Sequence, residues 1–429
     1  MFGKKNTSKP EAFMNTIVLS SLSLSLFWTI SLQGADWPTW RGPSGNGLSD
    51  ETNIPLQWSA TENVAWKVPL EEPGNSSPIV AKSKVFITQT LENGTRRCLI
   101  CFDRKNGEKL WQRETPYGEK EPTHKTNPYC SASPATDGKV IVATLGSAGM
   151  VAYDFEGKEI WRRGDLGPQM HIWGNASSPV PYAKGKTFIQ LWGPGTRVFL
   201  VAVDAATGKT VWKQDLPDAQ AKEVKHWYGS WATPVLRNNH GQDELLIGLP
   251  KRLVAFDPGT GKELWSCDGL GDLVYNNPVF AGEYAMATSG YGGPALGVQA
   301  GKGASGNITR KRLWLTEKRN PQRIGTGVVI DGHYFLLTEP GILQCIEMIT
   351  GEIVKQERIG KGGNWGSLAK VGERLYVTNS GGQTLVLAAD KEFKLLATNP
   401  VEERTRGSPA FSNGQVFLRT HKTLWCFGK

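Results

Sequence analysis

The sequence predicts an all-β fold, an eight-bladed β-propeller of four-stranded antiparallel blades. Three observations predict it. A unit of short apolar strands separated by Gly, Asn and Asp turns recurs along residues 63–429. No segment of comparable length shows helical periodicity. A strand that the last copy lacks stands at the start of the array. The 50 glycines and 16 tryptophans suit a fold with many tight turns and one large side chain per repeat.

Most copies open with a small residue followed by Ser-Pro or a close variant, and end on a strand that carries tryptophan. In Asp204–Trp212 (DAATGKTVW), Asp and Gly supply a tight turn and Trp lies on the next strand. A four-stranded sheet cannot bury both faces alone, so the copies are expected to stack radially with tryptophan packed between them. The predicted docking tryptophans are Trp66, Trp111, Trp161, Trp212, Trp265 and Trp314.

The eighth copy predicts how the ring closes. It ends at Lys429, where the other copies begin their Trp-bearing strand. The missing strand is expected to be Asn63–Leu70 (NVAWKVPL), at the other end of the array. Pairing the two segments would leave the ring without an open sheet edge.

Residues 1–35 are predicted to be a signal peptide. Three lysines precede an uncharged, mostly apolar stretch, Ile17–Leu32, which is shorter than the roughly 20 residues that span a bilayer. An uncleaved anchor is the alternative, and Met14 is an alternative start that would remove the basic region; the cleavage site stays open. No later segment reaches transmembrane length and no cysteine precedes Cys98, so we expect a soluble periplasmic or secreted chain without a lipid-modified N-terminus.

Charge and cysteine content exclude several classes. The net charge is +9, the leader contributes +2 of it, and no Lys/Arg run resembles a nucleic-acid arm, so no nucleic-acid partner is expected. Cys98 and Cys101 share a strand and should point to opposite faces, while Phe102 excludes a c-type haem motif. The six cysteines are therefore interpreted as small buried residues.

The repeat resembles a known family. A small-Ser-Pro opening and an A-x-D-x-x-T-G-x-x-x-W ending resemble the pyrroloquinoline-quinone (PQQ) repeat of quinoprotein dehydrogenases and of the outer-membrane assembly scaffold BamB. The flanks Trp37–Pro43, His124–Tyr129 and Trp173–Pro179 are similar to a PQQ-binding-like subfamily. The predicted domains are the leader, residues 36–62 packing on the propeller as an N-terminal extension, and the propeller at residues 63–429.

A binding site is predicted at one mouth of the central channel, where the segments that enter the innermost strands gather. In successive repeats, the positions just before the Ser-Pro opening carry aromatic rings, amides and guanidinium groups, which suit a planar anionic cofactor or a sugar. The candidate ligand-binding residues are Asn75, Tyr129, Trp173, Asn175, Trp227, Tyr228, Asn276, Arg323, Trp365 and Arg406.

The resemblance implies a quinone held with Ca²⁺ beside a carboxylate base, between a tryptophan and a disulfide of adjacent cysteines. This sequence has no adjacent cysteines, no C-x-x-C-H, G-x-S-x-G or H-E-x-x-H motif, and few acids near the predicted mouth. We therefore predict a monomeric, non-catalytic binding or scaffold protein with an unknown protein or glycan ligand, no metal site and unknown catalytic residues. The alternative is a PQQ-dependent alcohol or sugar dehydrogenase that uses PQQ with Ca²⁺.

Overall fold

The computed structural model describes Met1, Gly3 and residues 36–316, 323–361 and 363–428. The predicted signal peptide therefore lies outside the described residues, apart from Met1 and Gly3. The described chain forms eight blades in chain order, each a sheet built on four antiparallel strands, which confirms the predicted all-β, eight-bladed propeller. No helix in these ranges has the length and apolar character needed to cross a membrane.

The first strands of neighbouring blades contact each other, so they lie innermost, and the fourth strand of each blade lies at the rim. From the channel to the rim, the strands of blades 1 to 3 are Ile79–Ala81, Lys84–Leu91, Arg96–Asp103 and Lys109–Pro116; Ala135–Thr136, Ile141–Thr144, Met150–Tyr153 and Glu159–Arg163; and Val180–Tyr182, Thr187–Trp192, Phe199–Asp204 and Thr210–Asp215. Those of blades 4 to 6 are Val235–Asn239, Gln242–Leu249, Arg252–Phe256 and Glu263–Asp268; Val279–Ala281, Tyr284–Thr288, Ala295–Gln299 and Arg312–Leu315; and Val328–Ile330, His333–Leu337, Ile342–Glu347 and Ile353–Arg358. Those of blades 7 and 8 are Ala369–Val371, Arg374–Thr378, Gln383–Ala388 and Leu395–Pro400; and Ala410–Ser412, Gln415–Arg419, Thr423–Phe427 and Val64–Pro69.

Short elements complete the described fold. Leu48–Ser49 runs parallel to the innermost strand of blade 7, and Gly229–Ser230 pairs in parallel with Leu273–Val274. Gly306–Asn307 lies beside the rim strand of blade 4. Four 3-10 turns are described, at Glu92–Gly94, Gly146–Ala148, Pro217–Ala219 and Thr309–Lys311.

The ring closes as the sequence predicts. Val64–Pro69 pairs antiparallel with Thr423–Phe427 as the rim strand of blade 8, and Trp66 lies opposite Cys426. One sheet thus combines strands from both ends of the array. Because its rim strand comes from the start of the chain, the eighth blade cannot complete its sheet until the last strands are in place.

The seams between blades repeat one contact. The indole Nε1 of Trp161 donates to the carbonyl oxygen of Ala205 in the next blade at 2.9 Å. A Cβ atom at Gly208 would lie 2.6 Å from that indole, and the φ of Gly208 is +69°, so glycine is required on both counts. The same donation, at 2.8–3.1 Å, joins Trp66 to Arg104, Trp111 to Phe155, Trp212 to Pro258 and Trp314 to Met348. The Asp, Gly and Trp spacing therefore encodes a contact between neighbouring blades.

Trp265 departs from this pattern. Its Nε1 lies 3.3 Å from Glu244 Oε2, and the guanidinium of Arg237, paired with Glu244 at 2.7 Å, lies 5.6 Å from its ring. Blade 5 has a Gly-rich insert in place of the regular turn. Gly306–Asn307 of that insert pairs in parallel with the strand of Trp265 and covers the seam.

A closed ring of hydrogen bonds, the channel ring, joins the eight blades around the channel. In each blade, the residue two positions before the innermost strand uses its side-chain oxygen to accept the backbone N–H of its counterpart in the preceding blade, at 2.8–3.0 Å. These positions require a short side chain with an acceptor oxygen, which explains the Ser-Pro openings. The members are Ser77, Ser133, Ser178, Thr233, Asn277, Thr326, Ser367 and Ser408.

Residues 36–49, here called the plug segment, lie inside the channel. Trp37 exchanges two backbone hydrogen bonds with Val80 on the innermost strand of blade 1, and the carbonyl of Pro38 accepts from Thr136 in blade 2. On the other side, Arg41 donates to the carbonyls of Gly327 and Leu368 in blades 6 and 7. Leu48–Ser49 then extends the sheet of blade 7 on its channel side.

The chain leaves the channel between blades 7 and 8. The carboxylate of Glu51 accepts the N–H groups of Asn413 and Gly414 at 2.7 and 3.1 Å. Trp58 is 2% exposed, and its ring lies 5.5 Å from that of Phe427. Residues 36–62 therefore contact the propeller from the channel to the rim before they become the closing strand.

All six cysteines are buried and free of disulfides. Cys101 and Cys426 lie directly opposite docking tryptophans, at the register position that Ala152 and Ala202 hold in other blades. Burial raises the pKa of Cys101 and of Cys426 to about 12. These thiols stay protonated at neutral pH and pack as small apolar groups, as the sequence predicts.

Candidate functional site

One mouth of the channel forms a cavity of about 1100 Å³, counting the solvent at its opening. Its walls are the segments that lead into the innermost strands, together with five members of the channel ring. Its floor includes Trp40 of the plug segment. Arg41, the next residue, lines a second cavity bounded by blades 4, 5 and 6. The plug segment therefore separates two cavities within the channel.

Four of the residues predicted from the sequence line the mouth cavity. Asn75 and Trp173 stand on one side, where Asn75 donates to the carbonyl of Thr126 at 3.0 Å. Trp365 and Arg406 belong to blades 7 and 8, and the guanidinium carbon of Arg406 lies 4.6 Å from the Trp365 ring centroid. The structure thus brings these four together from four blades.

Two further predicted residues stand behind the wall. Tyr129 donates its hydroxyl to the carbonyl of Glu121 at 2.8 Å and lies over the guanidinium of Arg97 at 4.8 Å. Asn175 donates to the Glu121 carboxylate at 3.0 Å. That carboxylate is 1% exposed and pairs with Arg97 at 2.6 Å. The buried ion pair holds both side chains away from the lining.

The other four predicted residues also lie outside the lining. Asn276 is 1% exposed and is held by the carbonyl of Ile324 and the hydroxyl of Thr288. Arg323 is buried. Tyr228 stacks on His226 and donates to the carbonyl of Asp218. Trp227 lies at the lip of the cavity, with its ring centroid 4.8 Å from that of Trp173.

Trp227 belongs to a group of five rings, here called the aromatic shelf: Trp173, Trp227, Trp231, Tyr275 and Tyr291. Neighbouring centroids are 4.8–6.0 Å apart, and the ring planes are tilted by 31–76°. Trp227 and Tyr291 remain 57% and 52% exposed. Large rings left open to water beside a cavity are typical of a recognition surface.

Several lining residues were not predicted from the sequence. Trp40 comes from the plug segment, whose place in the channel no repeat alignment can give. Tyr291 comes from the turn between the second and third strands of blade 5, at a φ of +44° that few non-glycine residues adopt. Asn127 holds the loop before blade 3 by donating to the carbonyls of Trp173 and Asn175. The motif His124–Tyr129, which contains Asn127, was the sequence feature that could have identified this residue.

Polar atoms in the cavity wall have unused hydrogen-bonding capacity. The Oδ1 of Asn75, the hydroxyl of Tyr275 and the Nε of Arg406 are shielded from solvent, and no residue in the described ranges pairs with them. A buried polar group without a partner costs about 1–3 kcal/mol. Groups of this kind at one cavity suit a polar ligand that would complete their hydrogen bonds.

The channel carries positive charge. Arg41 and Arg419 are buried, and their described partners are neutral carbonyl and amide oxygens. Burial lowers the pKa of Arg41 and of Arg419 to about 10, so both stay protonated at neutral pH. The pKa of Arg406 is also lowered, first by burial and then by neighbouring Arg404. Such a potential attracts anionic ligands.

His171 anchors the aromatic shelf from behind. Its ring lies edge-on to Trp231 at 4.8 Å, its Nε2 donates to the carbonyl of His226 at 3.0 Å, and its Nδ1 accepts the N–H of Trp173. Burial lowers the pKa of His171 to about 4. The imidazole is therefore neutral at physiological pH and serves as a structural support for Trp173.

The lining can be compared with what a quinone site requires. Guanidinium, amide and hydroxyl donors with aromatic faces fit a planar anionic ring. Among the described lining residues, however, none is Asp or Glu, and the described chain contains no cluster of His, Cys, Asp or Glu suited to a metal ion. The described lining residues thus provide neither a carboxylate ligand for Ca²⁺ nor a carboxylate base, and we assign no catalytic step.

Eight blades, six of them with a docking tryptophan, and a mouth cavity of aromatic and basic side chains define a PQQ-like β-propeller. The family model described as outer membrane protein assembly factor BamB matches residues 56–169 and 131–357. The chain therefore belongs to this family of PQQ-like repeat proteins.

Known proteins of two kinds share the fold. BamB from Moraxella catarrhalis superposes with a TM-score of 0.59 at 14% identity, covering 85% of this chain and 96% of that one. Quinohemoprotein alcohol dehydrogenase from Comamonas testosteroni superposes with a TM-score of 0.64 at 14% identity, covering 92% and 80%. In sequence, the chain is 29% identical to that dehydrogenase over 176 residues, 39% of this chain, and the match spans 22% of the dehydrogenase.

Proposed function

We propose that this chain is an exported, non-catalytic propeller that binds a ligand or a partner protein at the mouth of its channel. One observation carries the proposal: the mouth cavity combines open aromatic faces with polar atoms that have no partner in the described ranges, and its described lining holds no carboxylate. Such a set suits recognition and retention of a molecule. The basic and apolar leader supports export to the periplasm or beyond.

A second function is a PQQ-dependent alcohol or sugar dehydrogenase. The local identity to a quinohemoprotein alcohol dehydrogenase favours it. So does the guanidinium of Arg406, stacked on Trp365 beside the cavity, because a carboxylate-bearing quinone could pair with it.

One titration separates the two functions. Purified protein is mixed with PQQ and Ca²⁺, tryptophan fluorescence reports binding, and dye-coupled oxidation of alcohols and sugars reports turnover. We expect no turnover above the level of a heat-denatured sample. Saturable PQQ binding accompanied by turnover would overturn the non-catalytic proposal and establish the dehydrogenase.

The same assay tests the location of the site. Trp173→Ala and Arg406→Ala remove one side chain from each side of the mouth and should weaken any binding that occurs there. Arg358→Ala, on the exposed rim strand of blade 6, is the matched charge control and should bind as the parent does. Circular dichroism of each variant checks that the fold is retained.

A further inference from the structure

The plug segment makes the mouth cavity a blind pocket. Trp40 lines the mouth cavity and Arg41 lines the cavity beyond it, so the backbone between them is the partition. Hydrogen bonds fix that partition to the innermost strands of blades 1, 2 and 7. A chain-like ligand that enters at the mouth meets this floor and cannot pass through the channel. Such a ligand has to enter with one end first.

The two sides of the pocket offer different chemistry. On the blade 8 side, Arg406 presents a shielded Nε without a described partner, and buried Arg41 and Arg419 add positive potential. On the opposite side, the aromatic shelf begins inside the cavity at Trp173 and continues to exposed Trp227 at the lip. The pocket therefore provides a site for an anionic group inside and ring faces that lead outwards.

The tilt of the shelf distinguishes between flat and chain-like ligands. The plane of Trp173 is turned by 55° from that of Trp227 and by 31° from that of Tyr291. Rings inclined in this way do not form a parallel slot around one flat molecule. Each instead offers its own face, which suits successive saccharide rings that are linked but not coplanar. The hydroxyl groups of the channel ring supply donors as well as acceptors for sugar oxygens.

We infer that the mouth cavity binds the end of an acidic saccharide chain, whose terminal carboxylate or sulfate ester pairs with Arg406 while the following sugars stack on Trp173 and Trp227. This inference rests on the proposed binding function and gives it a ligand class. The net charge of +9, or +7 without the predicted leader, favours encounter with such a polyanion, and the affinity should fall as salt rises.

The first test compares ligand charge by calorimetric titration. The probes are trigalacturonate, a galactotriose that carries a terminal sulfate ester, and unmodified galactotriose. We expect at least one acidic trisaccharide to bind about tenfold more tightly than the neutral one, and the stronger of the two identifies the anion. Equal affinity for acidic and neutral forms, or binding by none of the three, overturns the inference.

Variants locate the contacts. Arg406→Gln should remove the preference for the acidic form, and the control Arg358→Gln should keep it. Trp227→Ala should weaken binding of the acidic trisaccharide but leave binding of the corresponding acidic monosaccharide unchanged, because Trp227 at the lip lies beyond the first sugar. An acidic preference that survives in Arg406→Gln would place the anion elsewhere and overturn the assignment.

End-first entry has its own measurement. The acidic trisaccharide is titrated with a bulky label at one end, at the other end, and at both ends. One singly labelled form should bind as the free sugar does, and the doubly labelled form should lose at least about tenfold in affinity. Undiminished binding of the doubly labelled form would show that the ligand lies across the mouth.

The inference and the proposed function can fail separately. PQQ binding at the mouth without turnover, combined with no saccharide binding, would overturn the saccharide inference and leave the non-catalytic function in place. Oxidation of a bound acidic saccharide in the presence of PQQ would overturn the non-catalytic function and keep the ligand class.

Discussion

The seams and the mouth of this propeller are built on the same repeat in opposite ways. At the seams, five of the six docking tryptophans meet the same kind of backbone carbonyl in the next blade. At the mouth, the position two residues before the channel-ring member holds Asn75 before blade 1, Trp231 before blade 4 and Arg406 before blade 8. Stability reuses one contact around the ring, whereas recognition needs a different chemical group at each point.

The difference has an energetic counterpart. Seam residues are buried and bonded, so their loss costs folding free energy. Mouth residues such as Trp227 are exposed, and the guanidinium of Arg406 lines the cavity beside Trp365, so these side chains contribute little to folding and remain available to a ligand. Substitutions should therefore separate into two classes, those that lower stability and those that weaken binding.

The largest effect is expected from Trp212→Ala at a seam. Its indole is 9% exposed and donates to the carbonyl of Pro258 at 3.0 Å. Removal of a buried tryptophan costs about 3–5 kcal/mol because a cavity remains where the ring packed. Urea unfolding followed by circular dichroism should show a large drop in midpoint. A shift no greater than that of the exposed control Val211→Ala would contradict the seam argument.

The next largest effect concerns the turn glycine that faces the same indole. Gly261→Ala would place a Cβ atom 2.4 Å from the ring of Trp212 at a φ of +73°. Gly241 has a φ of +90° with open space around it, so Gly241→Ala reports the backbone cost alone, about 1 kcal/mol. We expect Gly261→Ala to lower the free energy of unfolding at least about twice as much as Gly241→Ala does, as measured from the unfolding midpoints. Equal losses would mean that the indole contact adds nothing.

The seams could be predicted from sequence because each is specified by a short local pattern. In Asp204–Trp212, the carboxylate of Asp204 accepts the N–H groups of Ala206 and Thr207 and holds the turn, and Gly208 then fits beneath the preceding tryptophan. The same pattern recurs often enough to give the blade count. The closing strand followed from the one copy that lacks this segment.

The mouth was only partly predictable because its geometry depends on contacts distant in sequence. Tyr129 stands two residues before the lining position held by Ser131, and its contacts with the buried pair of Arg97 and Glu121 keep it behind the wall. Trp40 reaches the floor because Arg41 binds carbonyls of blades 6 and 7, near the far end of the chain. No local pattern near either residue carries that information.

A smaller effect is expected from pH at the mouth. The pKa of His171 is lowered to about 4, below the ordinary value of 6.5. Above pH 6.5 the imidazole is neutral in both states; as pH falls towards 4, the unfolded chain gains a proton that the folded chain does not. Stability should therefore fall over this window, by up to about 1.4 kcal/mol per pH unit from this group.

The measurement compares slopes. His171→Gln should lose less stability than the parent between pH 7 and pH 5, even if it is less stable at pH 7. His240→Gln, at an exposed turn, should keep the parent slope. Identical slopes for the parent and His171→Gln would assign the acid sensitivity to other groups.

The smallest effect on folding is expected from Trp227→Ala, which sharpens the comparison most. Its ring is 57% exposed and contacts other rings of the shelf rather than a seam. We expect its unfolding free energy to change by no more than about 0.5 kcal/mol, as at most exposed sites. Binding of the acidic trisaccharide should nevertheless weaken about tenfold, measured by calorimetry on the same preparation.

The ratio of the two losses should be reversed in Trp212→Ala, because that variant alters a seam and leaves the mouth intact. If Trp227→Ala instead unfolds the protein as readily as Trp212→Ala does, the shelf is part of the core and the separation of stability from recognition fails.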